Sequence, residues 1–195
     1  MQCPVAHGES NCPVNANTNM PGAIHLQQET DTAAAVLSPE RSESTIPRTD
    51  GDWWVYPSPR MFYNALRRKG FTTAAEDIVP MLDIHNFLNE AVWQEVLRWE
   101  SRHAGQCGEP RLKRFMGRPQ ELSPKAWWSH WVRGAPRPFD RHDWTVDRCG
   151  REVRYIIDYY AGPKDEATGQ PTFYCDVRPA LDSLQSVWDR LRHLF

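Results

Sequence analysis

The stretch "REVRYIIDYY", residues 151 to 160, constrains the fold more than any other in this chain. Val153, Tyr155, Ile157 and Tyr159 alternate with Arg154, Ile156, Asp158 and Tyr160, and a period of two is the mark of a strand with two unlike faces. Cys149-Gly150, just before it, suits the turn from a preceding strand at about residues 143–148. "TFYCDV", from Thr172, offers a third strand. The periodicity predicts a small antiparallel sheet.

Upstream the period becomes helical. Ser58-Pro59 reads as an N-cap followed by proline at the first helical position, and Gly70 as a stop with Arg67, Arg68 and Lys69 complementing the helix dipole. This predicts about three turns with Phe62, Ala65 and Leu66 inward. A second run is expected from near Pro80 to His85 or Asn86. Asn89-Glu90 marks a fresh start, after which Val92, Trp93, Val96, Leu97 and Trp99 recur at helical spacing. His85 is thereby expected at a helix junction, where its ring can project into a cleft. Ser123-Pro124 repeats the cap signal ahead of Trp127, Trp128 and Trp131, which share one surface as a short aromatic wall. A closing helix is expected over residues 179–193, carrying Leu181, Leu184, Val187, Trp188 and Leu191. Helices first, strands next and a last helix predict an α+β class over a doubly wound sheet.

The 195 residues suit one domain and a tail. Residues 1–50 are rich in Pro, Ser, Thr, Asn and Ala and are expected to be a flexible tail, since they offer little apolar surface to offset chain entropy. Within the tail Cys-Pro-Val occurs at Cys3 and again at Cys12. At Trp53 the composition turns aromatic and charged, so the folded domain is expected over residues 51–195.

Several classes are excluded. The formal net charge is −2, with no dense Lys/Arg block to neutralise phosphates, so nucleic acid is not an expected partner. No apolar run approaches the ~18–20 residues of a membrane span. The first basic residue is Arg41, so neither a signal peptide nor an Arg-rich transit peptide is expected at the N-terminus. Five cysteines, an odd and scattered set, make a disulfide framework unexpected and leave the redox compartment undecided. Cys107, Cys149 and Cys175 are expected to be buried or turn residues. No histidine pair has HExxH spacing, and His103 with Cys107 is two ligands short of a zinc site. No G-x-S-x-G elbow or glycine-rich phosphate loop is present.

A lone histidine among apolar residues is ordinarily a hydrogen-bonded structural imidazole, and aromatic residues at helical spacing ordinarily build core. In combination they also supply what an iron porphyrin requires. His85 offers an axial nitrogen, the indoles offer flat apolar walls, and Arg60, Arg148 and Arg154 offer cations for propionates.

Four motifs carry a family resemblance: "WVYPSPRMFYNALRRKG", "IHNFLNEAVWQEVLRWE", "PFDRHDWTVDRCGREVRYIIDYYAG" and "DVRPALDSLQSVWDRL". In that order they resemble the holocytochrome c synthases, the mitochondrial cytochrome c haem lyases, across nearly all of residues 53 to 192. The Cys-Pro pairs at Cys3 and Cys12 are similar to that family's haem-binding Cys-Pro motifs. The segment "GRPQELSPKAWWSHWVRGAPR" is more divergent and richer in tryptophan than the family pattern.

The resemblance implies a lyase that attaches haem b, its substrate, by thioether bonds to the Cys-x-x-Cys-His segment of apocytochrome c. It implies an α+β domain around a haem-binding cleft, located in the mitochondrial intermembrane space and peripheral on the inner membrane. His85 is then the axial ligand to the haem iron, and Trp54 an aromatic contact. Asn86, Asn89 and Glu90 shape the same site, Arg154 joins the haem-binding set, and His142 and Arg148 lie in a segment the family needs for function. Glu90 or His142 would assist proton delivery, and Cys3 and Cys12 would collect or sense haem. Two other readings compete: a non-catalytic haem carrier or sensor, and an interaction module with an aromatic surface that binds no haem.

Overall fold

The computed structural model describes residues 32–193 apart from 69, 119, 120, 168 and 170. Cys3 and Cys12, with the Cys-Pro motifs they carry, lie outside the described residues. The chain divides into two compact units, one formed by residues up to Thr45 with Trp53–Leu88, the other by Ile46–Asp52 with Asn89–Phe195.

The first unit contains a short helix α1 (Thr32–Val36), most of strand β1 (Glu43–Pro47), strand β2 (Trp53–Val55), helix α2 (Pro59–Arg68) and the first half of α3 (Ala75–Glu100). β1 and β2 form a two-stranded sheet. The α2 cap is as expected, because Ser58 Oγ accepts the Met61 amide at 3.2 Å, and Gly70 takes the left-handed conformation with φ 83°. Ala34 and Leu37 are buried with Tyr63 and Ile78, and Phe62 and Leu66 pack against that cluster. Within the segment expected to be a tail, residues 32–47 thus carry α1, β1 and buried side chains. A few apolar residues in a polar composition suffice once α2 gives them a partner surface.

α3 departs from expectation. It is one helix of 26 residues that runs through Pro80, His85 and Asn89 without a break. At ~100° per residue, Ile78, Leu82, His85, Asn89, Val92 and Val96 fall within an arc of about 80° and make a single inward stripe. Asn89, which resembles a cap in sequence, is buried on that stripe. Pro80 stands inside α3, where it lacks the amide that would bond the Glu76 carbonyl, and the helix continues through it.

The second unit is built on a four-stranded antiparallel sheet in the order β3-β4-β5-β6, from Arg111–Gly117, Asp140–Arg148, Arg151–Lys164 and Pro171–Pro179. The β4–β5 connection is the expected two-residue turn. Cys149 and Gly150 both have positive φ, 48° and 93°, the pairing of a type I′ turn. On one face Trp144 lies opposite Tyr155, Val146 opposite Val153 and Ile157 opposite Val177, and all six are buried. Trp99 of α3 donates its indole N–H to the Val177 carbonyl at 2.9 Å. The other face is charged: Asp158 lies opposite Arg141 and Asp176, and Ile156 opposite Arg178. Helix α4 (Pro124–Arg133) is capped by Ser123, whose Oγ accepts the Ala126 amide at 3.1 Å and donates to the buried Asp158 carboxylate at 2.6 Å.

Three further features depart from expectation. β3 went unanticipated because "RLKRFMG" carries charges where alternation would place apolar residues. The closing helix α5 (Leu184–His193) buries Ser186 and Asp189 and leaves Leu184, Trp188 and Leu191 exposed, the reverse of the expected face. The reason is polar pairing: Asp189 holds His103 at 2.9 Å, and Arg190 donates to the Pro179 carbonyl at 2.6 Å. Finally, Cys107 and Cys149 form a disulfide across 42 residues, with their Cα atoms 5.5 Å apart. Register brings them together. Arg111 pairs with Asp147, so in an antiparallel ladder the chain just before β3 meets the chain just after β4. Counting cysteines by parity does not detect such a pair.

Candidate functional site

In the first unit the α3 stripe presents His85. Its ring centroid is 6.0 Å from that of Phe62 at an interplanar angle of 42°. Ile78 and Leu82, two turns and one turn before it on the same stripe, are 0% and 5% exposed, whereas His85 is only partly buried. His85 is thus held on an inward-facing line and stays partly exposed. It does not project from a helix end, as the expected junction would have had it.

Asn86 follows on the side of α3 that meets β2 and its downstream segment. Tyr56 Oη donates to the Asn86 carbonyl at 3.4 Å, while the side-chain oxygen of Asn86 is buried without a hydrogen-bond partner in the described structure. Such an atom costs about 1–3 kcal/mol unless a partner reaches it. A cavity of about 280 Å³, lined by Leu82, Asp83, Asn86, Arg41, Glu40 and Pro57 among others, opens beside it. Arg41 is fixed there by donating to the Val55 and Tyr56 carbonyls, each at 2.9 Å, and burial lowers its pKa. Trp54 is buried at 7% exposure on β2. Arg60 donates to the carbonyls of Leu37 and Ala35 at 3.1 and 3.3 Å, so its guanidinium ties α2 to the segment after α1.

The second unit carries His142, Arg148, Arg154 and Glu90. His142 is buried on β4, with Nδ1 3.2 Å from Tyr159 Oη, Nε2 3.2 Å from the Asp140 carboxylate, and the Phe115 ring edge-on at 4.6 Å. This orients the imidazole firmly between a phenol and a carboxylate. Arg148 is also buried, and its guanidinium takes both oxygens of Glu100 at 2.6 and 2.8 Å. Tyr155 Oη donates to the same carboxylate at 2.6 Å. Burial alone would lower the Arg148 pKa, but the Glu100 hydrogen bond and charge outweigh it and raise it. Burial, and then Glu100, raise that of Tyr155. Arg154 bridges Asp182, at 2.7 and 2.8 Å, and Asp143, at 2.7 Å. Its pKa is raised first by the Asp182 hydrogen bond. Glu90 is partly buried on α3.

The structure therefore groups Asn86 with His85 on α3 in the first unit, and ties Arg148 and Arg154 to carboxylates within the second. Glu100, Tyr155 and Asp143, which make those ties, were not among the expected site residues. Their signal is the cross-strand and helix-to-sheet pairing, which no local motif displays.

The family model "Cytochrome c/c1 heme lyase" matches residues 5–194. The chain belongs to this haem lyase family. Among curated relatives, the holocytochrome c-type synthase of Gallus gallus is 46% identical over 199 residues, covering 97% of this chain and 71% of its own length. That of Bos taurus is 51% identical over 163 residues, 80% of this chain and 58% of its own. The holocytochrome-c synthase of Saccharomyces cerevisiae is 43% identical over 215 residues, 97% of this chain and 78% of its own. The chain thus spans between about three fifths and four fifths of the length of these three lyases. No solved structure matches it. Among the described residues of this haem lyase, no helix is long and apolar enough to cross a membrane.

Proposed function

We propose that the chain is a holocytochrome c synthase that takes haem b and apocytochrome c as substrates and joins them by thioether bonds. The observation that supports this, beyond family membership, is the partial exposure of His85 on a stripe whose neighbours are closed. A neutral imidazole so placed suits an axial bond to haem iron, and the unpartnered oxygen of Asn86 next to it suits a polar contact from a bound group. Trp54 then backs the site as an aromatic contact. Arg154 serves the haem-binding set, and Cys3 and Cys12 of the tail collect or sense haem.

In the reaction each cysteine S–H of the Cys-x-x-Cys-His segment adds across one haem vinyl C=C. A bond forms from sulfur to one vinyl carbon and the proton ends on the other, so no external oxidant or reductant is consumed. Two thiols and two vinyls can pair wrongly, and the synthase acts by register. His85 holds the iron from one side while the histidine of the incoming segment takes the other, which sets each thiol beside its vinyl. Positioning of this kind is worth up to ~7–11 kcal/mol. Glu90 or His142 assists proton delivery, and Arg148 acts through Glu100 as a positioning residue. Release follows when the folding cytochrome offers its own second ligand and displaces His85, so the product's folding drives turnover. The reading places the enzyme in the mitochondrial intermembrane space, peripheral on the inner membrane.

Co-expression with apocytochrome c, followed by haem staining of denatured protein, tests it. His85→Ala is expected to abolish covalent product, and a normal yield of stained cytochrome overturns the role given to His85. A pyridine haemochrome spectrum of the native enzyme's product that keeps both vinyls would instead show a carrier or sensor.

A further inference from the structure

The tryptophan-rich helix α4 is not used by the site described above. Trp127, Trp128, Trp131 and Val132 are each more than half exposed, from 52% to 62%. At ~100° per residue they occupy an arc of about 140°, while Ala126 on the opposite side is 2% exposed. The helix is firmly seated in this orientation. Its cap Ser123 is tied to Asp158 and to Arg178, each at 2.6 Å, and Lys125 is tied to Asp176 at 2.6 Å. The three indoles are thus held outward by buried polar anchors on the other side.

The segment that carries them holds charge of one sign, with Lys125 already paired to Asp176. From Leu122 to Phe139 there is no acidic residue, while Lys125, Arg133 and Arg137 are basic. The Arg137 guanidinium lies 6.0 Å over the Trp131 ring, the arrangement of a cation resting on the edge of an apolar patch. Helix α5 also turns Leu184, Trp188 and Leu191 outward, but it carries a single indole. A helix face bearing three indoles, followed by Arg133 and Arg137 and without a carboxylate in its own segment, matches the headgroup region of an anionic bilayer. There tryptophan settles with its ring in the apolar boundary and its N–H in the wet layer.

We infer that this face of α4 is the surface by which the protein docks on an anionic membrane. The inference rests on the peripheral association proposed above and assigns it to Trp127, Trp128 and Trp131, with Arg133 and Arg137 contacting lipid phosphates. Docking is interfacial and salt-sensitive, and α4 lies in the plane of the membrane.

Flotation of the full chain with vesicles of four parts phosphatidylcholine to one part cardiolipin tests this, with near-UV circular dichroism as the check on folding. The native chain floats, and Trp127→Ser/Trp128→Ser/Trp131→Ser lowers the bound fraction by about tenfold or more, as loss of the inserted apolar area requires. The single variants Trp127→Ala, Trp128→Ala and Trp131→Ala, each at an exposed position, keep the test decisive should the triple variant fail to fold. Each is expected to lower binding about threefold or more. Variants that float like the native chain overturn the assignment to α4 and leave peripheral association standing. A native chain that stays at the bottom of the gradient overturns both. If the variants float normally but lose binding to an apocytochrome c peptide, the face receives a polypeptide and the lipid assignment falls.

Discussion

Arg148 and Glu100, separated by 48 residues, form a two-point ion pair in which each side chain is only 3% exposed. Glu100 is the last residue of α3 and Arg148 the last of β4, so the pair fastens the end of the long helix to the sheet of the second unit. Tyr155 donates to the same carboxylate, which leaves one anion serving a guanidinium and a phenol. The arrangement binds the helix to the hairpin whose turn carries Cys149.

Arg148→Ala removes the cation that pairs with the buried Glu100 carboxylate. An orphaned buried charge costs roughly 3–5 kcal/mol, so urea denaturation should show a loss of that size. Glu100→Gln with Arg148→Met should recover part of it, because the pair is then replaced by uncharged groups that still accept from Tyr155. A native denaturation midpoint in Arg148→Ala, together with lost haem attachment, would show that Arg148 acts on substrate instead of positioning the fold.

The Cys107–Cys149 disulfide closes a loop across 42 residues. Loop-closure entropy for that length gives about 4 kcal/mol. Cys107→Ser/Cys149→Ser should lower the unfolding free energy by about that amount, and treatment of the native chain with a phosphine reductant should reproduce the loss. Equal midpoints for oxidised and reduced protein would mean that the β3–β4 pairing alone holds the two segments together.

What the sequence disclosed was local. Ser58-Pro59, Ser123-Pro124 and Cys149-Gly150 announce their caps and turn because each acts within four residues, and α2, α4 and the β4–β5 hairpin follow as expected. What it concealed depends on distant partners. β3 forms because β4 accepts it in register, and the disulfide follows from that register. α5 turns its polar side inward because His103 and Pro179 supply partners for Asp189 and Arg190. The continuity of α3 was hidden by Asn89 and Pro80, whose propensities favour caps and breaks, whereas burial of the whole stripe outweighs them. At the site, His85 stood out through family resemblance, not through spacing. Glu100, which makes Arg148 intelligible, had no signal near it in the chain.

Trp54 offers a way to separate haem contact from packing. It is 7% exposed, so Trp54→Ala leaves a cavity and should cost about 3–5 kcal/mol whatever its role toward haem. Trp54→Phe keeps most of the volume and should cost under about 1.5 kcal/mol. If Trp54 contacts haem, both variants weaken haem retention on size-exclusion chromatography, Trp54→Phe with a denaturation midpoint near that of the native chain. Full retention in Trp54→Phe would make Trp54 a packing residue alone.

Among the described residues Cys175 is the free thiol. It lies on β6 opposite Tyr159, and burial, followed by the charge of Glu95, pushes its pKa up to about 11. A thiol reagent reacts with the thiolate, so at pH 8 alkylation should run roughly a hundredfold slower than for an ordinary cysteine. In a Cys3→Ala/Cys12→Ala background the rate should climb about tenfold per pH unit past pH 9. The sign for stability follows from the same shift. The folded thiol keeps its proton between the ordinary cysteine pKa and about 11, while the unfolded chain has lost it, so this group's contribution is full below that range and declines as pH rises through it. An alkylation rate that levels off near pH 9 would place Cys175 in water and remove that dependence.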